Sequence, residues 1–225
     1  MSTLRVALLS LFLGASTAWG APPSTAADPT NVTELIAAVE STYASITSLR
    51  ADFVQVTHSA SMGQDTRQKG KVQLARPRKM RWDFQAPDSS TFVTDGKTMW
   101  VYSSANNQVI VSTVAAGGGS GMTELLDDLN NLDELFTVTL IDGADSPAKA
   151  AYQVELVPKK QANFKKLRLT LSKKKYEVQQ VVLTDQFDNQ VDLSFSGIKT
   201  NQPIPDSTFS FQIPAGAQVI KTDAK

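Results

Sequence analysis

The 225-residue sequence contains no cysteine and a single histidine, His58. Without thiols there is no disulfide framework, thiolate metal centre or cysteine nucleophile, and one imidazole cannot build a multi-histidine metal site. A Ser-His-Asp triad would have to use His58, which follows a strand-like run in a polar stretch and reads as a surface residue. Net charge is missing as well, since Lys+Arg and Asp+Glu both number 22. No overall basic field draws in nucleic acid, so a nucleic-acid partner is not expected. Long apolar runs are absent too: Val6 to Leu13 is too short to cross a bilayer.

That short run has another meaning where it stands. Arg5 precedes it and Ala18-Trp19-Gly20 follows, the pattern of a secretory signal cleaved after Gly20. Residues 1–20 are therefore expected to be a signal peptide, 21–29 a linker of small residues and proline, and 30–221 the folded domain of an exported protein. With 41% hydrophobic and 20% charged residues, the chain can bury a sizeable core without disulfide staples.

What is present is mostly strand pattern, organised around Lys71 to Pro87. Two short runs, Lys71 to Leu74 and Met80 to Phe84, are separated by Arg76-Pro77-Arg78-Lys79, where proline removes a donor and fixes φ. In the second run a period of two sets Met80, Trp82 and Phe84 on one face and Arg81 and Asp83 on the other. Similar runs are Ala51 to Thr57, Thr91 to Thr94, Thr98 to Tyr102, Gln108 to Val111, Phe136 to Leu140, Tyr152 to Val157, Lys166 to Leu171, Val178 to Leu183, Val191 to Phe195 and Phe209 to Ile213. Asp95-Gly96 predicts a type I′ hairpin turn, and Asn106-Asn107 a second one. The lysines at Lys173 to Lys175, and those from Lys159 to Lys166, sit at turns and protect sheet edges.

Two helices are expected beside the strands. Asn31-Val32-Thr33-Glu34 reads as a capping box opening a helix to about Ser48, with Val32, Leu35, Ile36, Val39, Tyr43 and Ile46 as its apolar stripe. The same first triplet is a glycosylation sequon, which the cap explains without sugar. After the flexible run Ala115 to Gly121, Ser120 can cap a second helix carrying Met122, Leu125, Leu126 and Leu129. About ten or eleven short strands and two helices predict a mainly β, α+β architecture: one strongly curved antiparallel sheet with helices over its opening.

No catalytic constellation stands out. The Asp142/Asp145 and Asp185/Asp188 pairs are spaced like turn residues, and the glycine run lacks the Lys-Ser/Thr of a phosphate loop. Elimination leaves a binding protein, not an enzyme, with no cofactor. Met80, Trp82, Phe84, Phe92, Trp100, Phe195 and Phe211 either fill a core or line a ligand site, and periodicity does not separate the two.

The same stretches carry a family likeness. Leu49-Arg50-Ala51-Asp52-Phe53-Val54-Gln55, Arg76-Pro77 before Met80-Arg81-Trp82, Asp95-Gly96-Lys97 leading to Trp100-Val101-Tyr102, Gln108-Val109, Asn201, and Phe209-Ser210-Phe211 running to Pro214-Ala215-Gly216 together resemble the LolA family of periplasmic outer-membrane lipoprotein carriers. The resemblance implies an incomplete antiparallel β-barrel under a lid of helices, with a hydrophobic cavity for the acyl chains of lipoproteins. The implied partners are an inner-membrane lipoprotein-releasing ABC transporter and an outer-membrane receptor lipoprotein, and the implied state is a monomer. It also makes Arg76 the residue that closes the lid by hydrogen bonds to helix backbone. Met80 stands where the family usually has an aromatic residue or leucine, which alters the expected shape of the cavity. Other readings of the same pattern are a periplasmic lipid sensor or regulatory module, an exported lipid-acting enzyme, and a purely structural β domain.

Overall fold

The structure is a computed structural model that describes residues 29–61, 63–87, 89–114, 129–141 and 151–222. The expected signal peptide and almost all of the linker lie outside these residues, as do Met122, Leu125 and Leu126.

The first element is helix α1, Val32–Ala44. Its start follows the sequence closely: the Glu34 amide donates to Asn31 Oδ1 at 2.9 Å. The other half of the box differs. Glu34 turns its carboxylate to the backbone amide and hydroxyl of Thr30, at 2.8 and 2.9 Å, and these bonds hold its carboxyl below its ordinary value. The helix ends at Ala44, short of Ser48, because Ser45 already folds its amide and hydroxyl back onto the last carbonyls.

Twelve strands follow: β1 Ser48–His58, β2 Asp65–Ala75, β3 Lys79–Phe84, β4 Ser90–Thr94, β5 Thr98–Ser103, β6 Gln108–Thr113, β7 Phe136–Leu140, β8 Ala151–Pro158, β9 Phe164–Ser172, β10 Val178–Asp185, β11 Gln190–Thr200 and β12 Gln218–Thr222. They form one sheet in the order β12-β6-β5-β4-β3-β2-β1-β11-β10-β9-β8-β7. Its outermost strands, β12 and β7, do not pair with each other, so the sheet is open. All neighbours are antiparallel except β12, which runs parallel to β6. Where the β1–β11 register slips between Arg50 and Asp52, β11 carries an additional residue, and Gly197 sits there at φ +61. Such a bulge bends the strand and adds local twist.

Sequence expectation and structure part at four places in the sheet. Asn106-Asn107 is no two-residue type I′ turn: β5 and β6 are joined by a four-residue loop, 104–107, in which only Asn107 has positive φ. The Asp95-Gly96 turn does join β4 and β5, but only Gly96 has positive φ; Asp95 accepts from the amides of Lys97 and Thr98 at 2.8 and 2.7 Å instead of forming a type I′ turn. Phe209 to Ile213 is not a strand. Asp206–Phe209 forms a single 3-10 turn, with Phe209 fully buried and Ile213 45% exposed, so these residues share no face. The last strand is instead β12, a solvent-exposed edge.

Side chains at inner-face register positions build one apolar cluster that runs from Met80, Trp82 and Phe53 to Leu167, Leu169 and Leu171. Helix α1 contributes Leu35, Val39 and Tyr43 to it and contacts β7 and the short helix α2, Leu132–Leu135. Leu129, at the end of the expected second helix, is fully buried in the same cluster. Among the described residues the helical elements are α1, α2 and the 3-10 turn, so a lid made of several helices is not evident.

Tyr43 fastens α1 to the sheet: its hydroxyl oxygen accepts the Val178 backbone N–H at 2.9 Å within the core. Burial pushes the phenol up to about 12. Tyr43→Phe is therefore expected to leave that amide unpaired and cost roughly 1 to 3 kcal/mol in urea unfolding at neutral pH. The phenol's raised pKa adds a pH signature. Protonated Tyr43 stabilises the fold fully below about pH 10, where the unfolded phenol titrates, and this contribution is lost as pH rises through about 12. The stability difference between wild type and Tyr43→Phe should fall by on the order of 2 to 3 kcal/mol across that window, enough to close or reverse it; a constant difference would contradict the buried phenol.

Candidate functional site

Strand alternation sorts the aromatic residues onto two faces, because directly paired residues point the same way. Phe53 pairs with Gly70 and Phe195, Gly70 with Phe84, and Val72 with Trp82. Trp82 pairs in turn with Phe92, and Phe92 with Val101. These residues share the inner face. Their rings are in contact: Phe53 meets Trp82 edge-on at 4.9 Å between centroids and Phe84 at 5.0 Å, and Trp82 lies 6.2 Å from Phe195. Trp82 donates its indole N–H to Met80 Sδ at 2.9 Å, which satisfies a buried donor with a soft acceptor. Met80 thus orients the tryptophan.

Gly70 makes this cluster possible. A Cβ there would lie 2.6 Å from Phe53 Cζ and would also strike the Asp83 carbonyl oxygen, so only glycine lets the Phe53 ring lie across β2.

Burial grades across the inner face. Trp82, Met80 and Phe53 are buried, whereas Phe84, Phe92, Met99, Val101 and Ile110 toward β6 are half-buried. The part around Met80, Trp82 and Phe53 is a packed core, and the part toward β6 is half-buried apolar surface. No Asp, Glu, Lys, Arg or His stands at an inner-face register position of β1 to β6; Arg67, Lys69, Lys71, Arg81 and Asp83 all point outward.

Two residues expected in the same site lie elsewhere. Trp100 pairs with Val93, which pairs with Arg81, so it is on the outer face. Phe211 stacks obliquely on Tyr102, 5.9 Å away, and Tyr102 shares that outer face through Thr91 and Asp83. Val93, Val109 and Phe209 are buried there apart from the main cluster. The C-terminal segment is pinned over them, with Arg81 Nη1 donating to the Thr208 carbonyl at 3.3 Å and Lys79 paired with Asp206 at 2.8 Å. Six consecutive residues in β5 cannot all face one way, and a run such as Met99-Trp100-Val101-Tyr102 gives no sign of which parity is inward.

Arg76 lies in the β2–β3 connection beside the end of α1, where its backbone N–H donates to the Thr47 carbonyl at 2.9 Å. Its Nε is buried without a hydrogen-bond partner, and among the described residues its guanidinium bonds no helix carbonyl. The residue that ties down this end of α1 is Asn201. Its side-chain oxygen accepts from Thr47 N–H and Oγ1 at 2.8 and 3.1 Å, and its amide donates to the Ser45 carbonyl at 3.2 Å. Its φ of +56 suits asparagine. The likeness included Asn201, but nothing in the local pattern announces this role.

The chain is similar to several known proteins. The family described as "Outer membrane lipoprotein carrier protein LolA" matches residues 44–212. An outer-membrane lipoprotein carrier protein of Methylobacillus flagellatus is 33% identical over 179 residues, covering 79% of this chain and 84% of its own. That of Dechloromonas aromatica is 31% identical over 173 residues, 76% of this chain and 80% of its own. Among solved structures, an uncharacterized conserved protein from Thermus thermophilus superimposes with a TM-score of 0.55 at 17% identity, over 84% of this chain and 98% of that one, which supports the fold. With the matched region reaching from the end of α1 past Phe209, and so spanning both the aromatic inner face and the strapped outer face, the chain belongs to the LolA family.

Proposed function

We propose that this chain is a periplasmic, monomeric carrier that holds lipoprotein acyl chains on the inner face of its sheet, taking them from an inner-membrane ABC transporter and passing them to an outer-membrane receptor lipoprotein. The observation that carries the reading is the graded inner face: an aromatic cluster continuous with half-buried Phe84, Phe92, Met99, Val101 and Ile110, with no charge among them. The names of the carrier relatives support the cargo. At roughly 0.8 kcal/mol per buried CH₂, exposing one long acyl chain to water costs on the order of 10 kcal/mol, so lipid crosses an aqueous compartment only if covered. Hand-over then requires that the carrier hold its cargo less well than the receptor does. Arg76, beside the C-terminal end of α1, sets the balance between loading and unloading in this reading.

The test is a two-stage transfer assay with inner-membrane vesicles that contain the transporter and a labelled lipoprotein. The chain should release the lipoprotein into the soluble fraction and pass it on to the receptor; failure to release any would overturn the carrier reading. Arg76→Leu should slow the hand-over, and an unchanged rate would remove Arg76 from the mechanism while leaving the carrier in place.

A further inference from the structure

Beyond the aromatic cluster the inner face changes character. Moving along β1 and β2 toward their turn, the paired positions after Phe53–Gly70 are Gln55–Gln68 and Thr57–Thr66. These four neutral polar side chains form one block on the same face as the rings, flanked across β11 by Leu193 and Val191. The neighbouring wall stops there. The β2–β3 register begins at Gly70–Phe84 and the Gln85 N–H still donates to the Lys69 carbonyl at 2.9 Å, so residues 65–68 of β2 extend past the end of β3. Gln55, Thr57 and Gln68 are half-buried and Thr66 is exposed. Gln55 makes only a long 3.4 Å bond to Thr57 Oγ1, and the Gln68 amide and Thr66 hydroxyl bond no other described residue. Amides in such a position retain donors and acceptors for a ligand.

We infer that this block receives the head of the cargo: the ester and amide linkages of an acylated peptide N-terminus, with the tails on the aromatic cluster and the peptide leaving past the unpaired end of β2. The inference rests on the carrier reading above and specifies what that site recognises. A neutral linkage that accepts hydrogen bonds matches two amides and two hydroxyls. A phosphate or ammonium head does not, because no inner-face residue of β1 to β6 carries an opposite charge and an unpaired charge on a half-buried surface is costly.

The experiment compares two probes on the full mature chain: a synthetic dipalmitoyl-glyceryl-cysteinyl hexapeptide, and an alkyl-chain fluorophore with no ester or amide. The double substitution Gln55→Leu with Gln68→Leu should weaken the lipopeptide about tenfold, the loss of two neutral hydrogen bonds, and change the alkyl probe less than twofold. Thr57→Val with Thr66→Val provides a second, nearly isosteric pair with the same expected direction, and Gln68→Asn with Gln55 intact should recover most of the lipopeptide affinity. Unchanged lipopeptide affinity in both double variants, or equal losses for both probes, would overturn the inference. Wild-type protein that takes the alkyl probe but not the lipopeptide would remove the head site and leave the apolar site standing. Wild-type protein that takes neither would overturn the carrier reading, and this inference with it.

Discussion

Gly70→Ala is expected to lower stability by roughly 1 to 3 kcal/mol or more, a large effect for adding one methyl group. The new Cβ would sit 2.6 and 2.8 Å from two ring atoms of Phe53 and against the Asp83 carbonyl oxygen. Rotating Phe53 can relieve the first clash but not the second, which is with backbone. Phe53 is buried and holds both Trp82 and Phe84, so its displacement should spread to the whole aromatic cluster. Urea unfolding and the emission of the buried Trp82 report the two consequences separately. Combining Gly70→Ala with Phe53→Leu should recover only part of the loss, since the carbonyl clash persists. Wild-type stability in Gly70→Ala would mean that Phe53 does not pack across β2.

Phe92→Asp is expected to reduce acyl binding by more than about 100-fold while the chain still folds. Phe92 is half-buried, so the carboxylate can reach water in the empty protein. Bound acyl chains would have to remove that water, and burying an unpaired carboxylate costs several kcal/mol, about tenfold in affinity per 1.4 kcal/mol. Trp100→Ala is the control on the same two hairpins. Trp100 points to the outer face with Val93, so its loss should lower stability and leave acyl affinity unchanged. If Trp100→Ala abolished binding and Phe92→Asp did not, the assignment of the two faces would be reversed.

Much of this is legible in the sequence, and the exceptions have physical causes. The helix start at Asn31, the strands from β1 to β11 and the pairing of the Lys71 to Leu74 run with Met80 to Phe84 follow from capping and alternation, which are local. Met80, Trp82 and Phe84 can be assigned to one face because Arg81 and Asp83 alternate with them. Trp100 and Phe211 cannot: β5 is apolar or hydroxyl-bearing at every position, and Phe211 lies in an extended segment with no ladder to impose a period. The outer core requires the C-terminal strap that carries Phe209 to meet Val93 and Val109, far from it in sequence, and the hold of Asn201 on Thr47 and Ser45 is equally long-range. β12 has no alternating pattern to mark it, because its two apolar residues, Val219 and Ile220, are adjacent and both exposed, and it gains its pairing only from β6. The neutral character of the Gln55–Gln68 block becomes visible only once register shows which face it occupies.

The carrier reading depends on the inner face accepting alkyl chains. The most direct measurement is photocrosslinking with a lipopeptide that carries a diazirine on its palmitoyl chain, followed by mass-spectrometric mapping of the modified residues. Adducts should fall on inner-face positions such as Phe84, Phe92, Val101 and Ile110, and spare Trp100, Tyr102 and Phe211 on the other side of the same strands. Adducts concentrated on the outer face, or a lipopeptide that modifies the protein no more than it modifies Phe92→Asp, would contradict the account.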